Sequence, residues 1–156
     1  MVYRTRRKFK IRDYNDIKTN LPIFIEKMFK KKISNNFNWT NFVDQWIGLN
    51  IVHIKYEDLR LKTIDELMRV VYNLTQYELN KKKAQEIVDK YSFEKQSGRK
   101  PGEENINSFM RKGIVRDWKN YFSQESKEVF DYYAGNALVK LGYENDRNWI
   151  HKNYNL

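Results

Sequence analysis

At 156 residues the chain holds about one domain, and its 40% hydrophobic and 15% aromatic shares are enough for a packed core, which excludes general disorder. Zero cysteines exclude a disulfide scaffold and any cysteine-based metal or nucleophile site, and no apolar run approaches the roughly 18 residues that span a bilayer. The formal charge of +10 calls for anionic partners. It is clustered: Arg4, Arg6, Arg7, Lys8, Lys10 and Arg12 crowd the start, and Lys30-Lys31-Lys32 and Lys81-Lys82-Lys83 follow. These blocks read as solvated helix faces plus a basic arm over residues 1–20. Nucleic-acid binding is the sharper alternative, and the lack of a recognisable reading module disfavours it.

Leu21 to Lys32 is predicted helical, with Pro22 in its first turn and Ile23, Phe24, Lys27, Met28 and Lys31 on one stripe. Asn38 is placed to cap a second helix whose 3–4 spacing puts Trp39, Phe42, Val43 and Trp46 on one face, ended by Gly48. Ile51-Val-His-Ile-Lys-Tyr56 is β-branched and stops abruptly at Glu57-Asp58, so one clear strand is expected near 50–56. Thr63 and Glu66 form a capping box for a helix with Ile64, Leu67, Met68, Val71 and Leu74 inward. A further helix runs from about Asn80 to Tyr91 with Ala84, Ile87 and Val88 inward, and Ser92 caps a short turn from Phe93 to Gln96. Ser97 to Asn107, with Gly98, Pro101 and Gly102, is expected to be an exposed loop. Ser123 is expected to cap a long helix ending at Gly142 and lined by Val129, Phe130, Tyr133, Ala137, Leu138 and Leu141. The tail from Tyr143, with Trp149, is expected to pack back only in part. A single strand among helices must pair with something, which suggests part of a larger sheet.

The densest chemistry lies in Phe109-Met-Arg-Lys-Gly-Ile-Val-Arg-Asp-Trp-Lys-Asn-Tyr-Phe122. Arg111 and Lys112 can grip an anion, and Gly113 lets backbone amides approach it. Trp118 and Phe122 offer apolar anchors, with Trp118 expected to be buried and Asp117 to fix the loop. The run resembles the C-terminal signature of the cytosolic-type sulfotransferases, Arg-Lys-Gly-x-x-Gly-Asp-Trp-Lys-x-x-Phe, except that Arg116 replaces the second glycine. At that position the sequence leaves three readings open: a strained positive φ, an obstructed backbone approach, or an extra cation for phosphate. The resemblance covers roughly Trp39 to Tyr143. Lys55-Tyr-Glu-Asp-Leu59 resembles the family's Tyr-Glu-Asp strand end, and Ser92-Phe93 its Ser-Phe turn.

The resemblance implies an α/β chain: the C-terminal portion of a P-loop-like, three-layer sulfotransferase fold, mostly helical here. Residues 1–156 form a partial domain, with a nucleotide-binding portion at 50–122 and a C-terminal helix at 123–142. The implied activity is transfer of a sulfuryl group from 3′-phosphoadenosine 5′-phosphosulfate (PAPS), the co-substrate, to an alcohol, phenol or amine in the cytoplasm, without metal. The nucleotide contacts carried over are Tyr56, which contacts the nucleotide in the family, Ser92 and Phe93, whose phenylalanine packs there on the adenine ring, and Arg111, Lys112 and Gly113 for the 3′-phosphate. Tyr91 stands where the family often has threonine. No catalytic residue is carried over. The family's Lys-Ser/Thr-Gly-Thr-Thr-like phosphosulfate loop, its general-base histidine and the arginine and serine that complete the phosphate site have no counterpart among these residues. His53 and His151 show no partner arrangement suited to a base. The chain is therefore expected to be a fragment with negligible turnover alone, completed by an N-terminal half. The alternatives are an inactive PAP(S)-binding or interaction fragment and, further off, a basic nucleic-acid-binding protein. A dimerisation pattern in the family maps to Lys119, Ser123, Gln124 and Glu128, where Gln124 replaces its apolar centre.

Overall fold

The computed structural model describes residues 13, 16–31 and 38–153. Most of the basic N-terminal arm, and Lys32, lie outside the described residues. In chain order the described residues form α1 (Ile17–Lys30), α2 (Trp39–Trp46), α3 (Tyr56–Leu61), α4 (Thr63–Thr75), α5 (Lys81–Lys90), α6 (Phe93–Ser97), a 3₁₀ turn (Asp117–Asn120), α7 (Gln124–Lys140) and a second 3₁₀ turn (Arg147–His151). None of these helices is long and apolar enough to cross a membrane. They divide into two compact units: the described residues of Met1–Leu49 with those of Trp118–Leu156, and Asn50–Asp117.

In the first unit α7 is the organising helix, and α1, α2 and the second 3₁₀ turn pack on it. Local caps set its boundaries. Asn38 accepts from the Asn41 amide at 2.9 Å, and Ser123 accepts from the Ser126 amide at 3.2 Å, each meeting a donor that the first helical turn leaves without an intrahelical partner. The first helix starts earlier than predicted, because Asp16 rather than Pro22 marks its entrance and accepts from the Thr19 amide at 3.1 Å. Pro22 is consequently interior to α1, and the buried side is Pro22 and Ile25, whereas Ile23 is exposed. Phe29 stacks on Tyr133 at 5.2 Å and meets Phe130 edge-on at 5.6 Å. Trp39, Phe122 and Trp149 also approach Phe130, so an aromatic cluster forms much of this core.

The tail packs back more completely than the sequence suggests. Trp149 is buried, and its indole N–H donates to Asp131 Oδ1 at 2.7 Å. Arg147 Nε donates to Asp131 Oδ2 at 2.8 Å, and Lys127 donates to the Lys152 carbonyl at 2.8 Å. Lys127, Asp131 and Ala134 thus form a second buried stripe on α7, which an apolar pattern cannot reveal because its key members are charged. Gly135 completes it, since a Cβ there would lie 2.2 Å from Asp131 Oδ1.

In the second unit α4 packs against α3 and α5. Asn80 caps α5, accepting from the Lys83 amide at 2.8 Å, and Ala84 of that helix is fully buried. The lysine block at 81–83 is a solvated face, as expected. The capping box at Thr63 does not form. Only Lys62 separates α3 from α4, so Thr63 is already helical and Lys62 is the cap. Glu66 turns to Arg69, whose Nε donates to it at 2.8 Å. That hydrogen bond holds the Glu66 carboxyl below the ordinary glutamate value. Leu74, expected inward, is exposed.

The expected strand at 50–56 is corrected too: no strand occurs among the described residues. Ile51 to Lys55 belongs to no regular element, Lys55 has extended dihedrals, and Tyr56 already begins α3. Its β-branched composition survives as exposed Ile51 and Ile54. A strand needs a ladder partner, and pattern alone cannot supply one. What holds the segment is a side chain: Arg69 donates to the His53 carbonyl at 2.8 Å.

Candidate functional site

The six residues singled out as nucleotide contacts, Tyr56, Ser92, Phe93, Arg111, Lys112 and Gly113, all fall within the Asn50–Asp117 unit. Around Arg111-Lys112-Gly113 the chain is held by its carbonyls. Arg60, one turn along α3 from Tyr56, donates to the Gly113 carbonyl at 2.6 Å. The amides of Gly102 and Asn105 donate to the carbonyls of Lys112 and Arg111 at 2.8 and 2.9 Å. Arg99 donates to the carbonyls of Arg111 at 3.0 Å and Met110 at 2.5 Å. The peptides are trans, so each aims its N–H away from the group that holds its carbonyl.

Gly113 is fixed by two independent requirements. Its φ is +65°, a region that costs a residue with a Cβ roughly 1–2 kcal/mol. An added Cβ would also stand 2.4 Å from the Phe93 ring. Phe93 opens α6 and is buried, with the Arg99 guanidinium 5.5 Å from its ring centroid. The aromatic ring therefore supports the loop. Ser92 caps α6, its hydroxyl accepting from the Lys95 amide at 3.3 Å. Tyr56 stands half exposed at the start of α3.

Arg111 and Lys112 converge on Asp117. Lys112 Nζ lies 2.8 Å from Asp117 Oδ1, and an Arg111 guanidinium nitrogen meets Oδ2 of the same carboxylate. Arg111 also pairs with Glu104. Asp117 fixes the loop, as its place in the sequence suggested. The set is chemically suited to a dianion: two cations of different shape are oriented by one largely buried carboxylate, beside a glycine whose Cβ would fill the turn. Arg116 stands at φ +63° and is exposed, so the position does call for a left-handed conformation. Trp118 belongs to the other unit and is half-buried rather than buried, edge-on to Phe122 at 5.2 Å and to Trp149 at 6.1 Å.

Sequence reasoning missed Arg60, Arg99 and Glu104. Arg99 lies in a stretch read as exposed polar loop, and nothing in its sequence neighbourhood distinguishes a carbonyl-gripping arginine from a solvated one. His53 contributes its backbone carbonyl to Arg69. Gln124 Nε2 donates to Glu128 at 2.9 Å, a bond local to α7.

The sequence model of the sulfotransferase domain matches residues 2–142. The chain belongs to the sulfotransferase domain family. Among curated proteins it is 28% identical to Sulfotransferase 1E1 of Cavia porcellus over 130 residues, covering 72% of this chain and 42% of that protein. It is 28% identical to Sulfotransferase 1C2 of Homo sapiens over 123 residues, covering 68% of this chain and 41% of the relative. Against the Flavonol sulfotransferase-like protein of Flaveria bidentis it is 28% identical over 138 residues, covering 75% of this chain and 45% of the relative. The chain thus spans under half the length of these sulfotransferases. No solved structure matches it significantly.

Proposed function

We propose that this sulfotransferase-family chain binds the adenosine 3′-phosphate end of PAPS, and of the product 3′-phosphoadenosine 5′-phosphate (PAP), through the Arg111-Lys112-Gly113 loop. The observation that carries the reading is the convergence of Arg111 and Lys112 on Asp117 beside a glycine at positive φ. A 3′-phosphate dianion would join this cluster as a stronger acceptor than Glu104, which is the more exposed of the two carboxylates. Tyr56 and Ser92 lie on the adenosine side of this reading. Phe93 acts there by supporting Gly113, and stacking on adenine would require it to move from beneath Arg99.

In the complete enzyme the acceptor oxygen or nitrogen attacks sulfur, the bond from sulfur to the 5′-phosphate oxygen breaks, and PAP leaves. The residues of this chain contribute binding and orientation to that step. The acceptor in this reading is a small alcohol, phenol or amine, and the setting is the cytoplasm, which accords with zero cysteines.

Calorimetric titration of the chain with PAP and with adenosine 5′-phosphate tests the proposal. Tighter binding of PAP by at least about tenfold, or roughly 1.4 kcal/mol, is expected. Equal affinities would refute it. Steeply salt-dependent binding of an oligonucleotide that PAP does not displace would favour nucleic acid instead.

A further inference from the structure

We propose that Arg99 is the positioning residue of the anion loop, fixing the direction of its backbone donors and so setting how strongly the site prefers a nucleotide bearing a 3′-phosphate. The inference rests on the nucleotide reading above. Arg99 is distinguished by what its one guanidinium reaches. It donates to the Glu103 carbonyl at 2.6 Å, the Met110 carbonyl at 2.5 Å and the Arg111 carbonyl at 3.0 Å, and lies over the Phe93 ring at 5.5 Å. It thereby ties the start of the loop to the same aromatic ring that Gly113 rests on at its end.

The consequence follows from peptide geometry. Holding the Met110 and Arg111 carbonyls toward Arg99 turns the amides of Arg111 and Lys112 away from it. Those amides accompany the two side chains assigned to the phosphate. Arg60 does the same for the peptide that follows Gly113. Only a planar fork with several fixed donors can hold neighbouring carbonyls while stacked on a ring, so lysine is not an equivalent replacement. Arg99 acts from behind the loop, with its donors engaged by carbonyls.

The test uses the 156-residue chain with Arg99→Lys and Arg99→Gln, titrated with PAP and with adenosine 5′-phosphate. Amide hydrogen exchange is followed at Gly102 and Asn105, whose N–H groups bond the loop carbonyls. Arg99→Lys is expected to reduce the preference for PAP about tenfold through the PAP affinity alone, and to speed exchange at both amides. Arg99→Gln is expected to do the same more strongly. If Arg99→Gln fails to fold, the lysine variant still decides, because it keeps the charge and loses the fork. A preference for PAP unchanged in a folded Arg99→Lys chain overturns the proposal. So does an equal loss for both nucleotides, which would mark a merely structural role. An unsubstituted chain that binds both nucleotides alike overturns the phosphate reading itself, and Arg99's assignment with it; that outcome needs no variant and is separately recognised.

Discussion

Two aspartates, one in each unit, hold arginine side chains in contrasting surroundings. Asp131 on α7 is 7% exposed and receives the Arg147 fork and the Trp149 indole, all in the service of seating the C-terminal tail. Asp117 receives two cations, Lys112 and Arg111, and the latter reaches a second carboxylate, Glu104, at the surface. The first arrangement closes on itself around a buried tryptophan. The second orients two cations on one carboxylate and shares one of them with a second, more exposed carboxylate, which under the proposed function a phosphate would replace. Residue type is nearly the same in both; what differs is the exposure of the carboxylates, and on the proposed reading that is what separates a packing device from a binding one.

If the comparison is right, substitutions in the two regions give different signatures. Gly113→Ala should have the largest effect, destabilising the chain by about 3 kcal/mol in urea titration from its positive φ and the Phe93 overlap together, and abolishing measurable PAP binding. Trp149→Phe removes a donor from Asp131 and should cost about 1–2 kcal/mol in the same assay, while leaving PAP affinity unchanged. Arg116→Gly relieves a left-handed non-glycine residue and should raise stability by about 1 kcal/mol. Glu104→Gln should change stability least and tighten PAP binding about threefold in calorimetry, by removing the exposed competitor for Arg111. Weaker PAP binding in Glu104→Gln, or an affinity lost in Trp149→Phe, would erase the distinction between the regions.

Much of the local structure was legible because it depends on local chemistry. Asn38, Ser92 and Ser123 cap helices as their types and positions predict, and Asn80, where a helix was expected to begin, caps one too. Where the reading failed, an adjoining element or a nonlocal partner decided the outcome. Ile51 to Lys55 has strand composition but no ladder. Thr63 has the capping sequence but is preempted because α3 ends at Leu61 and Lys62 alone separates the two helices. The charged stripe of Lys127 and Asp131 is buried by the tail, which no apolar pattern on the helix announces.

The site divides in the same way. Arg111, Lys112, Gly113 and Asp117 are contiguous enough for their order to suggest an anion loop, and Gly113 adopts a positive φ of the kind a glycine can reach. Arg60 reaches that loop from a distant position and Arg99 from the preceding loop, and both bond its backbone, which leaves no side-chain pattern to detect. Phe93 was identified as an aromatic of the site, but its contact with Gly113 appears only in three dimensions.

The central claim is that Arg111 and Lys112 recognise a 3′-phosphate. Its most direct test is the ratio of dissociation constants for adenosine 5′-phosphate and PAP, measured before and after the double substitution Arg111→Ala and Lys112→Ala. The account predicts that the ratio falls toward one because PAP affinity drops by about a hundredfold or more, equivalent to loss of two charge-assisted contacts, with adenosine 5′-phosphate binding little changed. A ratio that survives the double substitution in a folded chain would contradict it.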